Sequence, residues 1–100
     1  MAKSLFTIRK KKKEKHPQIV VGANRTSFET VGLTHSKKDR RSVNIPLKNN
    51  PNKDDERQAY VKKRVIKDFK FNFSKAFKNY QLSNEDIDNL IKYLESKKKK

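Results

Sequence analysis

His16 and His35 are the only histidines in the chain. They fall at opposite ends of a predicted β-hairpin, which brings them near each other in space. Two imidazoles can serve as base and acid in metal-free RNA cleavage, where a 2'-hydroxyl attacks its own phosphate. The charged phosphorane then needs a cation. Arg25 at the hairpin tip is one candidate, and the pair Arg40 and Arg41 is another. Thr34, beside His35, can hold a phosphate oxygen. The competing reading makes both histidines exposed loop residues at strand ends, because two histidines alone are weak evidence of catalysis.

Other chemistries have less support. The absence of cysteine excludes disulfides and cysteine-ligated zinc. With two glycines in the whole chain, there is no P-loop and no glycine-rich dinucleotide turn. No zinc-ligand cluster is present, so neither a metal nor a cofactor is expected.

Charge points to a partner class. Lys and Arg number 27 against 11 Asp and Glu, a net charge of +16. Such an excess creates a deep positive field that favours polyanions, RNA or DNA before an anionic membrane surface. Three clusters are candidate phosphate contacts. The first is Arg9, Lys10, Lys11, Lys12 and Lys13. The second is Lys37, Lys38, Arg40 and Arg41, and the third is Lys62, Lys63 and Arg64. A lysine tail closes the chain. Solvated, solubilising runs are the alternative, but +16 on so short a chain also costs self-repulsion. Phe69, Phe71, Phe73, Phe77 and Tyr80 interleave with these charges and can stack on single-stranded bases. A chain with only 32% hydrophobic residues needs most of these rings for its core.

The elements that position these residues follow from periodicity. Residues 1–15 read as a basic arm, in which "SLFTI" adds one short edge strand. Gln18 to Ala23 reads as a buried strand and Ser27 to Thr34 as its hairpin partner. "SVNIPL" puts Val43, Ile45 and Leu47 on alternate positions of a third strand, with Pro46 marking an edge. "KNNPNKDDER" has turn residues and no apolar anchor, so it reads as a loop. Val61, Val65, Phe69, Phe71 and Phe73 share one parity in a fourth strand that can bend into a fifth. "SKAFKNY" is open between a turn and a short helix. Ser83 and Asp86 have capping-box spacing, and Leu82 and Ile87 flank the cap. Ile87, Leu90, Ile91 and Leu94 then form the stripe of a helix from about Asn84 to Ser96. The expected class is β-rich α+β: a small SH3-like barrel or bent antiparallel sheet over residues 16–96, capped by the C-terminal helix, with a basic tail at 97–100. No apolar run reaches the ~18 residues of a membrane span. The N-terminal charge follows its apolar patch, the reverse of a secretory signal. A soluble, cytoplasmic protein is expected.

The series "HPQIVV", "VGLTHS", "NIPL", "AYVKKRVI" and "YQLSNEDIDNLIKYL" resembles, in order, small toxins of the PemK/MazF type. The resemblance covers about Lys15 to Leu94. It implies an SH3-like barrel, often a homodimer, whose active members cleave single-stranded RNA without metal. By position Thr34 matches the threonine or serine of the family's second motif. His16-Pro17 stands where Arg-Pro is commoner. The family also has a strand with Gly-Asp before that proline, whereas a lysine run takes that place here. Three functions follow as expectations: a module from a phage or mobile element that binds the RNA or DNA backbone; a metal-independent endoribonuclease; or a basic interaction protein covering an acidic protein partner.

Overall fold

Apolar residues crowd the two segments that form the centre of the sheet. In the computed structural model, which describes residues 5–39 and 42–98, these are β2 (Pro17–Ala23) and β3 (Ser27–Thr34). They pair as an antiparallel hairpin through Ile19↔Val31 and Val20↔Thr30, with a bulge at Val21. Ile19 and Val20 point to opposite faces, and both are fully buried. The middle of the sheet is therefore covered on both sides.

β1 (Ile8–Lys10) lies outside β2, and β7 (Tyr60–Phe69) lies outside β3. β4 (Lys38–Asp39) and β5 (Ser42–Val43) form a separate small ribbon, and β6 (Ile45–Pro46) edges the main sheet. The main order is β1-β2-β3-β7-β6, antiparallel throughout and open. The helix α1 (Asn84–Lys98) docks on one face. The class is thus β-rich α+β, with the bent open sheet rather than the closed barrel.

Several boundaries differ from expectation. β1 begins at Ile8 and runs into the lysine block, where hydrogen bonds on both sides hold it. Beyond its pairing with β2, the Ser74 N–H donates to the Lys10 carbonyl (2.8 Å) and the Phe77 N–H to that of Ile8 (2.8 Å). Residues 73–77 thereby cover an edge that would otherwise be bare. "SVNIPL" splits in two, because buried Asn44 turns inward and binds the Ser36 and Lys37 carbonyls (2.9 Å each), leaving Val43 exposed. β7 expands by two residues between Val61 and Val65, opposite Gly32, so both valines keep one face. "SKAFKNY" forms no helix.

The main core joins Ile8, Ile19, Val31, Leu33 and Val61 of the sheet to Leu47, Ala59, Leu82 and Leu90. On the other face Phe73 meets Phe28 edge-on at 5.5 Å, beside Val20. The helix cap forms with a difference. The Ser83 hydroxyl accepts from the Asp86 N–H and donates to the Asp86 carboxylate. That buried carboxylate also accepts from the backbone N–H groups of Lys48 (2.8 Å) and Asn49 (3.1 Å), so one residue both caps α1 and clamps the loop after β6. Ile91 of the expected stripe is exposed. Among the described residues, no helix is long and apolar enough to cross a membrane.

Candidate functional site

The open end of the β2–β3 hairpin brings His16-Pro17 beside Thr34, His35 and Ser36. Antiparallel pairing of Gln18 with Gly32 dictates this juxtaposition. Facing these residues is the 48–58 loop, closed at its base where the Leu47 N–H donates to the Ala59 carbonyl (3.0 Å). Its shape comes from short side chains that replace backbone turns. Asn50 Oδ1 accepts from the Asn52 N–H (2.9 Å), and Asn52 Oδ1 from the Asp54 N–H (3.1 Å). Asn50 Nδ2 donates to the Arg57 carbonyl (3.0 Å). Pro51 is buried, and the Gln81 N–H donates to its carbonyl (2.8 Å).

The loop thereby presents Asp55 and Arg57 to the hairpin. Together with Asn50, Asn52 and Tyr80 they enclose a cleft of about 320 Å³ whose other wall is His16, Pro17, Leu33, Thr34, His35 and Ser36. Asp55 is its organising centre. Arg57 grips it bidentately, Nε to Oδ1 at 3.0 Å and Nη2 to Oδ2 at 2.8 Å, and the Arg57 N–H adds a third bond at 3.0 Å. The hydrogen bonds from the Arg57 side chain and then from its backbone lower the Asp55 pKa to about 2. Asp55 is thus a carboxylate at any physiological pH. His35 Nε2 lies 3.1 Å from Asp55 Oδ2. A carboxylate can only accept, so this contact assigns the proton to Nε2 and turns Nδ1 toward other partners.

A second depression of about 500 Å³ continues from the cleft. Its lining includes Lys15, Gln18, Gly32, Lys62, Arg64 and Ile66, and it shares His16, Pro17 and Leu33 with the first. Its floor is firm, because the buried Thr30 hydroxyl donates to Gln18 Oε1. Gly32 lies under the expanded part of β7. A Cβ there would come within 3.0 Å of Lys62 Cδ, so the absence of a side chain lets the lysine stem lie across the strand.

The structure therefore unites three of the four expected catalytic residues, His16, Thr34 and His35, in one cleft. Arg25 is not brought there. It sits at the hairpin tip, separated by the eight residues of β3, or roughly 25 Å at ~3.3 Å per residue. Arg57 occupies the place expected of that cation. Asp55 and Arg57 were missed because a loop has no periodicity to follow; the run of Asn and Asp with Arg two positions after Asp55 was the available signal. Tyr80, expected as a stacking ring, lines this cleft instead.

The expected phosphate contacts divide by employment. Arg9 stacks over Phe28 (4.9 Å) and donates to Thr7 and Ser74, and Lys11 pairs with Asp68 (3.1 Å), so both serve the fold. Lys10 Nζ reaches the Glu14 carbonyl (3.4 Å). Lys12, Lys13, Lys37, Lys38, Lys62, Lys63 and Arg64 are exposed, and of these Lys62 and Arg64 line the groove. Arg40 and Arg41 lie outside the described residues, as do Lys99 and Lys100 of the tail. Among the described residues no group of three or more His, Asp or Glu side chains is placed to hold a metal ion. In comparisons with known proteins, no family model, no curated protein and no solved structure matches this chain.

Proposed function

We propose that the protein binds the backbone of a nucleic acid along the groove that leads into the His35–Asp55–Arg57 cleft. The observation that carries this reading is the continuity of the two depressions through His16, Pro17 and Leu33. Lys15, Lys62 and Arg64 flank the groove, and the net charge of +16 draws a polyanion to it. Phosphates then meet cations along the path and imidazole, hydroxyl and guanidinium donors at its end. Binding of RNA and DNA should be strongest at low salt. The logarithm of the affinity should fall linearly with the logarithm of salt, by ~0.7 to 0.9 per phosphate contact. A flat salt dependence, or no retention of any nucleic acid at low salt, contradicts the proposal.

The arrangement around Asp55 favours a second reading, a metal-independent endoribonuclease of PemK/MazF type. Asp55 orients His35 so that Nδ1 is the available base for a 2'-hydroxyl proton. The freed oxygen attacks phosphorus, and the bond to the 5'-oxygen breaks. The leaving oxygen takes a proton from protonated His16. Arg57, held by Asp55, stabilises the phosphorane through N–H groups turned away from the carboxylate. The products are a 2',3'-cyclic phosphate and a 5'-hydroxyl. Incubation with mixed RNA in EDTA separates the readings: retention alone belongs to a binder, and retention with cyclic-phosphate products to the enzyme.

A further inference from the structure

We infer that Phe69 and Phe71 form a stacking platform for the bases of a single-stranded nucleic acid, at the end of the sheet opposite the cleft. The inference rests on the nucleic-acid-binding reading and adds the form of nucleic acid that the protein takes. Phe69 ends β7, paired with Ser27 at the start of β3, whereas the cleft lies beyond Thr34 at the end of that strand.

The two rings are stacked nearly parallel, 7° apart in plane with centroids at 5.3 Å. They are the most exposed of the large apolar side chains among the described residues, at 53% and 69%. A chain poor in hydrophobic residues leaves its largest apolar pair in solvent while Phe28 and Phe73 nearby are buried. Adjacent exposed apolar groups of this kind mark a binding surface more often than isolated ones do.

The pair is also held in place. Asp68 Oδ1 accepts from the Phe69 N–H and from Asn72 Nδ2, both at 2.8 Å. Its Oδ2 pairs with Lys11 Nζ at 3.1 Å. The Lys70 N–H donates to the Thr26 carbonyl (2.9 Å), which pins the 3-10 turn at 70–72 to the hairpin tip. The backbone that carries both rings is therefore held before any ligand arrives, which lowers the cost of binding.

Charge selects the occupant. The Lys12 N–H donates to the Asn72 carbonyl (2.8 Å), so the basic arm passes directly beside the turn. Arg25 precedes Thr26 in the hairpin turn to which Lys70 is bonded. Rings that accept base faces, bordered by cations that accept phosphates, fit a strand with unpaired bases. A duplex hides its base faces, and a second copy of this chain would bring the same positive charge to the same place. Ring stacking engages base faces and not the sugar, so single-stranded RNA and DNA should bind the platform alike.

The test uses the full chain with single-stranded rU and dT oligomers of about ten nucleotides and a hairpin duplex, at one fixed low salt concentration. Phe69→Ala and Phe71→Ala should each weaken single-strand affinity by about fivefold or more and leave duplex affinity unchanged. The chain contains no tryptophan, so Phe71→Trp places one reporter in the platform. Its emission should be quenched by single strands and not by duplex. Equal losses on both forms, or no loss and no quenching, overturn the platform while wild-type binding keeps the broader proposal alive. Ring-dependent capture by anionic vesicles, with single-strand affinity unaffected by either substitution, overturns it in favour of a membrane. A wild type that binds no nucleic acid at low salt removes both readings together.

Discussion

The two ends of the sheet are built around the same device and present opposite chemistry. At the cleft, Asp55 collects donors from the Arg57 side chain, the Arg57 backbone and His35. At the far end, Asp68 collects them from the Asn72 side chain, the Phe69 backbone and Lys11. Both carboxyl groups are held below their ordinary range by these hydrogen bonds, led by Arg57 for Asp55 and by Asn72 for Asp68. What differs is the side chain that each carboxylate orders. Asp55 fixes an imidazole and a guanidinium, groups that move protons and bind phosphate. Asp68 fixes a turn that displays two phenyl rings. A small fold with little apolar material uses ionised hydrogen bonds to hold the two ends of its sheet.

The largest expected effects test what lies beneath each end. Phe73→Ala removes the ring that meets Phe28 under the platform, and Leu90→Ala removes the helix contact of the core that holds the base of the cleft loop. Each should cost ~2 to 5 kcal/mol in denaturant unfolding. The two losses should appear in one shared transition, because a domain of this size unfolds as a unit. An unchanged midpoint for Leu90→Ala would mean that α1 is not docked. Separate transitions for the two ends would mean that they are independent structures.

Next comes the chemistry. If wild-type protein cleaves RNA in EDTA, His35→Ala should lower the rate by ~100-fold or more while affinity stays nearly intact. Phe69→Ala should do the reverse, lowering affinity with little effect on the cleavage step at saturating RNA. A rate loss of the same size from both substitutions breaks the division of labour. A wild type that retains RNA without cutting it reduces the cleft to a binding site.

The smallest effects are in acid. A carboxyl group whose pKa is lowered on folding adds stability above its unfolded value, and loses it as pH falls through the folded one. For Asp55 that window runs from about 3.8 down to about 2. Asp68 loses its contribution below the same ordinary value of 3.8. The melting temperature should therefore fall between pH 4 and pH 2, and Asp55→Asn and Asp68→Asn should each flatten part of that fall. If neither changes the profile, the two carboxylates do not stiffen their regions.

Much of the frame can be read from spacing. Ile19 and Val20 announce a buried strand, Phe28, Val31 and Leu33 its partner, and Leu82, Ser83 and Asp86 the start of the helix. These signals are local, since each rests on residues within one strand or one helical turn. His16, Thr34 and His35 were placed near each other by the same hairpin logic. Asp86 shows where local logic stops. Its spacing identifies a cap, but its second role on the Lys48 and Asn49 N–H groups depends on a loop 37 and more positions away.

Sequence alone determined the charge, the β2–β3 hairpin and the helix, because short-range periodicity and turn chemistry dictate them. Tertiary structure decided three further matters. It brought Arg57 rather than Arg25 to the histidines, because the rigid length of β3 keeps the hairpin tip from reaching its own open end. It left the sheet open, with residues 73–77 laid along β1. It also divided Phe69 and Phe71 from Phe73. All three share one parity in the sequence, yet β7 ends at Phe69 and the 3-10 turn that follows puts the first two rings in solvent and the third in the core. Alternation assigns a residue to a face, but only packing determines whether that face is covered.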